Sequence, residues 1–509
     1  MMKNTITSVV LVLLCAAGFS STYDIKTSSV MGHPGTEVLG DYKGSWYVIG
    51  FESPGTLNRP PRYQLFKYST GFKAGKMSVM YPSFGEKTLY LQAAFVNNKI
   101  SLFYAKCGKR EDVTILLDKR DDRRQLPVIM RQDYDPNTLE PVGEPVTVFN
   151  EEDEYFAPNG IVVSESPDRS KTAILFKPYY KQQRYKVTVF DNTDGTYFTK
   201  NFDFKQSKEY LKFTNMRVNN AGNVMVVARI REDVITLAQN TAVKGQTKYY
   251  LFAMNKGTGK EPKTTELLLT AGKGGSYRDP MVTALNSGEM VVAYDNLSGD
   301  ALTSVTVMKY DSDLNTTGKQ EVQPDSKFIP QVAAYHSFKK GKEFSHLETQ
   351  QILPLTGSAF MLITEYHDTI PNSDKTQPAK TERNYIITCR FDEGMAQKDQ
   401  QFIPKRQISA TVDYAFSVKA YAKGNDVYLF YNADWEADEE HNMNLQCTHL
   451  GADGGEPETK KVVNTSGDFF TSMESIFPSS EGRILVTVEK AVDYEDVSRE
   501  VKLLEITPR

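Results

Sequence analysis

The chain predicts an all-β fold, a β-propeller of eight four-stranded antiparallel blades, and three observations carry that expectation. One hairpin signature recurs: a strand ending in an aromatic residue or Met, then Asp or Asn, then a turn. It stands at Tyr134-Asp135-Pro136-Asn137, Phe190-Asp191-Asn192, Met254-Asn255-Lys256-Gly257, Tyr310-Asp311-Ser312 and Phe391-Asp392-Glu393-Gly394, at spacings of 56, 64, 56 and 81 residues. Repetition at a roughly fixed period marks an architecture in which no unit buries its apolar face alone. The second observation is a series of short polar turns, each followed at once by a continuously apolar strand. The third is composition: 28 Tyr against 2 Trp and 11% aromatic residues suit pleated, half-buried strands. No helical periodicity is long enough for a separate helical domain.

Each unit reads as strands A to D. The A–B turns are Asn97-Asn98, Pro167 to Ser170, Asn220 to Asn223, Asn286 to Gly288, Thr356-Gly357, Lys423 to Asn425 and Ser480 to Gly482. Gly and Asn there supply the positive φ that tight hairpins demand. The B strands that follow are Ile100 to Ala105, Ala173 to Phe176, Val224 to Ala228, Met290 to Tyr294, Phe360 to Ile363, Val427 to Tyr431 and Ile484 to Val488. Uninterrupted apolar runs fit strands covered on both faces, as between neighbouring blades. Lys43 to Gly50 supplies an eighth pair; seven blades is the alternative. Units of about 60 residues fall short of an immunoglobulin-like sandwich, which needs about 100.

The last unit has a strand C at Glu500 to Ile506 and no strand D before Arg509. Ile25 to Met31 is expected to fill that place and close the ring, removing two exposed sheet edges. Residues 22–509 are then one propeller domain. Residues 1–21 read as a signal peptide: Lys3, the apolar run Val9 to Ala17, then Gly18, Ser20 and Ser21. The expected location is therefore outside the cytoplasm, secreted or periplasmic, and no run is long enough to span a bilayer as a helix. The net charge of −4, from 60 basic and 64 acidic residues, offers no excess to attract nucleic acid. Only Cys107, Cys389 and Cys447 follow the leader, too few for a disulfide framework. Cys389 and Cys447 occupy equivalent places in successive units and are expected to be buried free thiols.

The A–B turns are short, whereas the B–C loops include Cys107 to Gln125, Arg231 to Gln246, Tyr366 to Arg383 and Asn432 to Asn442. Long loops on a rigid scaffold are where sites are built, so the rim carrying them is the candidate functional face. An insertion, Asp325 to Ser345, joins them there. His336, His346, His367 and His441 gather on these loops, with Asp368, Asp434, Glu436, Asp438, Glu439 and Glu440 as further oxygen donors. They are weak metal candidates, since no HExxH or paired CxxC spacing is present, and solvated polar loops explain them better. The sequence names no cofactor. Asp434-Trp435-Glu436 sets a Trp among carboxylates, a group that stacks on a sugar or a cation when exposed and folds over a neighbouring blade otherwise. Asp191 to Gly195 and Asp311 to Asp313 have the look of calcium loops, but Asx-turn chemistry accounts for them.

Tyr277-Arg278-Asp279-Pro280, just before a strand A, is the sharpest enzymatic candidate. It resembles the Arg-Asp-Pro motif of propeller glycoside hydrolases of the invertase and arabinanase group, and that resemblance implies a transition-state role for Asp279. The group's early Asn-Asp-Pro-Asn-Gly has here only Ala157-Pro158-Asn159-Gly160, and the Ser-x-Asp-x-Gly-x-Thr-Trp boxes of sialidases are missing. Glycoside hydrolysis needs two spaced carboxyl groups, and no pair can be assigned. Asp279 is expected instead to satisfy backbone N–H groups at the strand start. At fold level the chain resembles the diverse secreted bacterial β-propellers, which implies a non-enzymatic binding protein presenting loops to a protein or glycan. The alternative is a carbohydrate-active enzyme with its site at the central channel.

Overall fold

A computed structural model describes residues 23–31, 37–51, 63–69, 72, 77–81, 88–106, 128–149, 156–178, 184–203, 210–231, 247–256, 262–267, 278–371, 379–409, 417–433, 444–462, 469–479, 482–490 and 501–508. These form eight four-stranded antiparallel sheets arranged as a propeller. Blade 1 holds strands Glu37–Tyr42, Ser45–Phe51, Tyr63–Ser69 and Met77–Tyr81. Blade 2 holds Thr88–Val96, Lys99–Lys106, Val128–Tyr134 and Val146–Phe149. Blade 3 holds Phe156–Glu165, Lys171–Pro178, Arg184–Asp191 and Tyr197–Asp203. Blade 4 holds Tyr210–Val218, Val224–Arg231, Thr247–Met254 and Lys263–Leu267. Blade 5 holds Met281–Ala284, Met290–Ser298, Ala301–Tyr310 and Thr316–Val322. Blade 6 holds Leu347–Pro354, Phe360–Tyr366, Tyr385–Phe391 and Gln397–Pro404. Blade 7 holds Lys419–Lys423, Asp426–Ala433, Asn444–Leu450 and Glu458–Lys461.

Blade 8 holds Phe469–Pro478, Ile484–Lys490 and Val501–Pro508, and its fourth strand is the N-terminal Tyr23–Met31. That strand pairs antiparallel with Val501–Pro508, Ile25 facing Ile506 and Thr27 facing Leu504. The seam between first and last blades is apolar, joining Val38, Trp46, Val48, Phe66 and Tyr68 to Leu485 and Leu503. Inside it the indole Nε1 of Trp46 donates to Glu505 Oε2 at 2.9 Å, both side chains buried.

The local chemistry follows from the turns. Lys43-Gly44 and Asn97-Asn98 have positive φ at both positions, the geometry of two-residue hairpins that match strand twist. At the recurring C–D turns the Asp carboxylate accepts backbone N–H groups two to four residues on. Asp135 takes Asn137 N at 2.6 Å, Asp311 takes Asn315 N at 2.8 Å, and Asp392 takes Ala396 N at 2.7 Å. The turns then return through Leu139, Leu314 and Met395, all at positive φ and all buried. A left-handed apolar residue costs about 1–2 kcal/mol, offset here because each side chain enters an inter-blade core. The B strands are covered on both faces: Ala173, Ile174 and Leu175 are 0% exposed, and every residue of Phe360–Tyr366 is buried.

Neighbouring blades are also stitched by polar side chains on the A–B turns. Asn220 Nδ2 donates to Asn286 O at 3.2 Å, Asn286 Nδ2 to Leu355 O at 2.6 Å, and Thr356 N to Asn425 Oδ1 at 3.1 Å. One link spans blades that are not neighbours. Arg169, on the A–B turn of blade 3, reaches the Asp41 carboxylate of blade 1 and donates to Pro478 O of blade 8 at 3.3 Å. Glu165, exposed to solvent, lies near this pair.

Candidate functional site

The B–C rim of blades 5 and 6 brings several of the sequence candidates together among the described residues. Arg278 and Asp279 stand side by side before strand A of blade 5 and point to opposite seams. Arg278 Nη1 meets Asp295 Oδ2 at 3.0 Å and its Nε meets Glu348 Oε1 at 3.2 Å, tying blade 5 to blade 6. Asp295, 2% exposed at its side chain, also accepts Thr349 N at 3.1 Å. Burial alone would raise the Glu348 carboxyl, but the hydrogen bond from His367 Nδ1 at 3.3 Å and the Arg278 charge hold it below the usual range.

Asp279 turns to blade 4. Its Oδ1 accepts the Tyr249 hydroxyl at 2.7 Å and Arg229 Nη1 at 3.2 Å. The expected role of satisfying backbone N–H groups is therefore replaced by side-chain partners, because Arg229 and Tyr249, paired across strands B and C of blade 4, present their polar ends to it. Burial, then the Asp279 hydrogen bond, pushes the Tyr249 phenol up. Both partners of Asp279 within hydrogen-bond distance are side chains of blade 4. Tyr277, Asp434, Trp435, Glu436 and His441 lie outside the described residues.

The other three histidines gather around Tyr366. His346 lies between Asp300 and Asp368, each at 3.3 Å from a ring nitrogen. His336 stacks on Tyr366 at 4.7 Å between centroids. His367 is taken up by Glu348. Each is committed to a carboxylate or a ring, and among the described residues no group of three or more His, Cys, Asp and Glu is placed to hold a metal ion. Cys389 and Cys447 are buried free thiols whose pKa burial pushes up; Cys107 lies outside the described residues.

Behind this rim sits a buried charge cluster that motif reading passed over. Glu365, at the end of blade 6 strand B, receives the Lys405 ammonium, Arg383 Nη1 at 2.8 Å and the Ser417 hydroxyl at 2.8 Å. Glu365 and Lys405 are both 0% exposed at their side chains. Lys405 also donates to Gln407 Oε1 at 2.6 Å. Burial would raise Glu365, but Lys405 and Arg383 outweigh it and hold the carboxyl low; burial pulls Lys405 down to about 8 against the pull of Glu365. The readable signal was a Glu just past the apolar run from Phe360 to Ile363, inside a strand buried throughout.

The cluster fixes a ledge over the rim. Asp368–Ile370, Lys380–Glu382 and Ile408–Ser409 form a small antiparallel sheet, with Asp368 opposite Glu382. Burial, followed by the opposing Asn384 hydrogen bond and the Asp368 charge, leaves the Glu382 carboxyl raised. On the opposite rim a crevice of about 500 Å³ between blades 5 and 6 has its buried charge already matched: Lys309 Nζ lies 3.2 Å from Glu289 Oε1 and donates to Glu393 O at 2.7 Å.

No protein family matches the chain, and no curated protein matches it in sequence. It is similar in fold to solved propellers. The WD40 domain of SCAP from fission yeast is 7% identical, with 96% of this chain and 99% of that one covered, at a TM-score of 0.39. The β-propeller domain of the Trilobed protease from Pyrococcus furiosus is 8% identical, with 87% and 99% covered, at 0.38. A prolyl endopeptidase is 9% identical at 0.40, with 92% of this chain covered but only 55% of that one, so the chain spans little more than half its length. These likenesses concern fold alone. Among the described residues no helix is long and apolar enough to cross a membrane.

Proposed function

We propose that this protein is an exported, non-enzymatic binding propeller that receives a protein or glycan on the B–C rim of blades 5 to 7. The observation that supports this best is the contrast between two places. Asp279, the sharpest enzymatic candidate in the sequence, is engaged by the Tyr249 hydroxyl and Arg229. The blade 6 rim carries a three-stranded ledge beside the buried Glu365, Lys405 and Arg383 charges, and an ordered insertion next to it. Rigid elements supporting polar loops suit recognition, where ordering costs are met before the ligand arrives. Screening the secreted protein on a glycan array, with and without chelator, tests the reading. Retention of a discrete glycan set, unchanged by chelator and without turnover, is the expected result; cleavage of array glycans overturns it.

A second reading, a carbohydrate-active enzyme, draws on Asp368 and Glu382. Residues directly opposite in an antiparallel pair put their side chains on one face about 5 Å apart at Cβ. Burial and the Asp368 charge raise the Glu382 carboxyl, as a general acid in two-carboxyl hydrolysis needs. On that reading Glu382→Gln abolishes turnover.

A further inference from the structure

The insertion between blades 5 and 6 is held at both ends and loaded in the middle. Its first part, the short helical turns Ser326–Phe328 and Ile329–Val332, buries Phe328 and Val332 in the blade 5–6 core. Its far end is fastened to the blade 5 hairpin: Leu302 N donates to Phe344 O at 3.0 Å and His346 N to Asp300 O at 3.0 Å. Between these anchors, residues 333–341 form a strap that lays Tyr335 on Tyr385 and His336 on Tyr366 and Tyr385, with Phe338 edge-on to His336.

The middle of the strap is apolar in its contacts but polar in its atoms. His336 lies 4.7 Å from the Tyr366 ring and 6.1 Å from the Tyr385 ring, nearly parallel to both. Both its ring nitrogens are buried without a hydrogen-bond partner, and so is the Tyr385 hydroxyl. Stacking tolerates a neutral imidazole; a protonated one needs acceptors for two N–H groups, and none is in reach.

The charges around it pull in opposite directions. From its own segment His346 faces His336 and opposes its protonation, while Asp368, just past strand B of blade 6, favours it. Asp368 is shared with His346, which also holds Asp300, and Lys342 lies 3.7 Å from Asp300. Tyr366 directs its hydroxyl to Asp368, Tyr385 brings no charge from strand C, and Arg406 acts on the neighbouring Tyr335. Desolvation, with His346 second, holds the His336 pKa below its ordinary value.

We propose that His336 is an acid-operated latch: protonating it lifts strap 333–341 from Tyr366 and Tyr385 and uncovers the aromatic floor beside Asp368. A group that binds its proton more weakly in the docked than in the lifted strap drives lifting as pH falls. The lifted population rises up to about tenfold for each pH unit below the free-histidine value of about 6.5, until the docked form protonates too. Control of ligand access rests on the B–C rim being the ligand face; the lifting itself does not, so the two fail separately.

The test follows imidazole carbon signals in histidine-labelled protein from pH 4.5 to 8.5, His336 being assigned by His336→Phe. In parallel, hydrogen exchange of the strap amides, corrected for intrinsic rate, is measured at pH 7.5 and 5.0. The expected result is that His336 titrates below the free-histidine value and that protection of 333–341 falls at pH 5.0. In His336→Phe, which keeps the stack and loses the proton, protection is high at both pH values. A His336 that titrates at or above the free value, or a loss of protection equal in both proteins, overturns the proposal.

Discussion

The charge cluster at Glu365 gives the sharpest expectation. Glu365→Gln keeps the shape and the Ser417 hydrogen bond but removes the one anion shared by Lys405 and Arg383. Lys405, wholly buried, is left with Gln407 Oε1 at 2.6 Å and the Tyr431 ring at 5.8 Å. Removing one partner of a buried pair costs about 3–5 kcal/mol because the other charge stays buried. Lys405→Met costs less, about 1–3 kcal/mol, since Glu365 keeps Arg383 and Ser417. The double variant falls short of the sum by about 1–3 kcal/mol. Urea unfolding at pH 7, followed through Trp46 in the blade 1–8 seam and by circular dichroism, measures all three. A Glu365→Gln protein within about 1 kcal/mol of the parent, or a Lys405→Met protein that is the weaker of the two, refutes the reasoning.

Four further outcomes follow from the same geometry. Lys405 gives up its proton at about 8 when folded and near 10.5 when unfolded, so the unfolded chain holds more protons between those values and stability rises with pH across that window; Lys405→Met flattens the rise in unfolding curves from pH 7.5 to 10.5. Glu365, held low, contributes stability above the ordinary carboxylate range that is lost as acid protonates it. Arg278→Met, which strips Asp295 and Glu348 of their shared guanidinium, lowers stability by about 2–3 kcal/mol, and Arg278→Lys restores only part because the ammonium is not a planar fork. Arg169→Met costs about 1–2 kcal/mol, less because Arg169 is partly exposed, and the loss shrinks in high salt when both proteins are unfolded side by side.

Much of the fold was legible because propeller rules are local. Asp135, Asp191, Asp311 and Asp392 announce C–D turns through their own hydrogen bonding, and two-sided burial makes the B strands from Ala173 and Phe360 read as unbroken apolar runs. The place of the N-terminal strand beside Val501–Pro508 followed from a unit that lacked its fourth strand. The site was legible only in outline. Arg278 and Asp279 are adjacent in sequence, but strand geometry sends one to blade 6 and the other to blade 4. The Glu365, Arg383, Lys405 and Ser417 cluster draws on four separate stretches of chain, and no spacing in one stretch can reveal a partner in another. The histidines were seen to congregate; that each is occupied by Asp300, Glu348, Asp368 or Tyr366 depends on packing alone.

The claim that recognition belongs to the B–C rim is tested most directly by comparing two altered proteins on the same glycan and protein arrays. One replaces residues 369–381 of the blade 6 ledge with an Asn-Gly turn, keeping Arg383 and the propeller strands; the other carries Asn286→Ala and Asn425→Ala on the A–B turns. Binding lost in the first and kept in the second is the expected result. Binding kept without the ledge, or lost with the A–B turn changes in a protein that remains folded, contradicts the account.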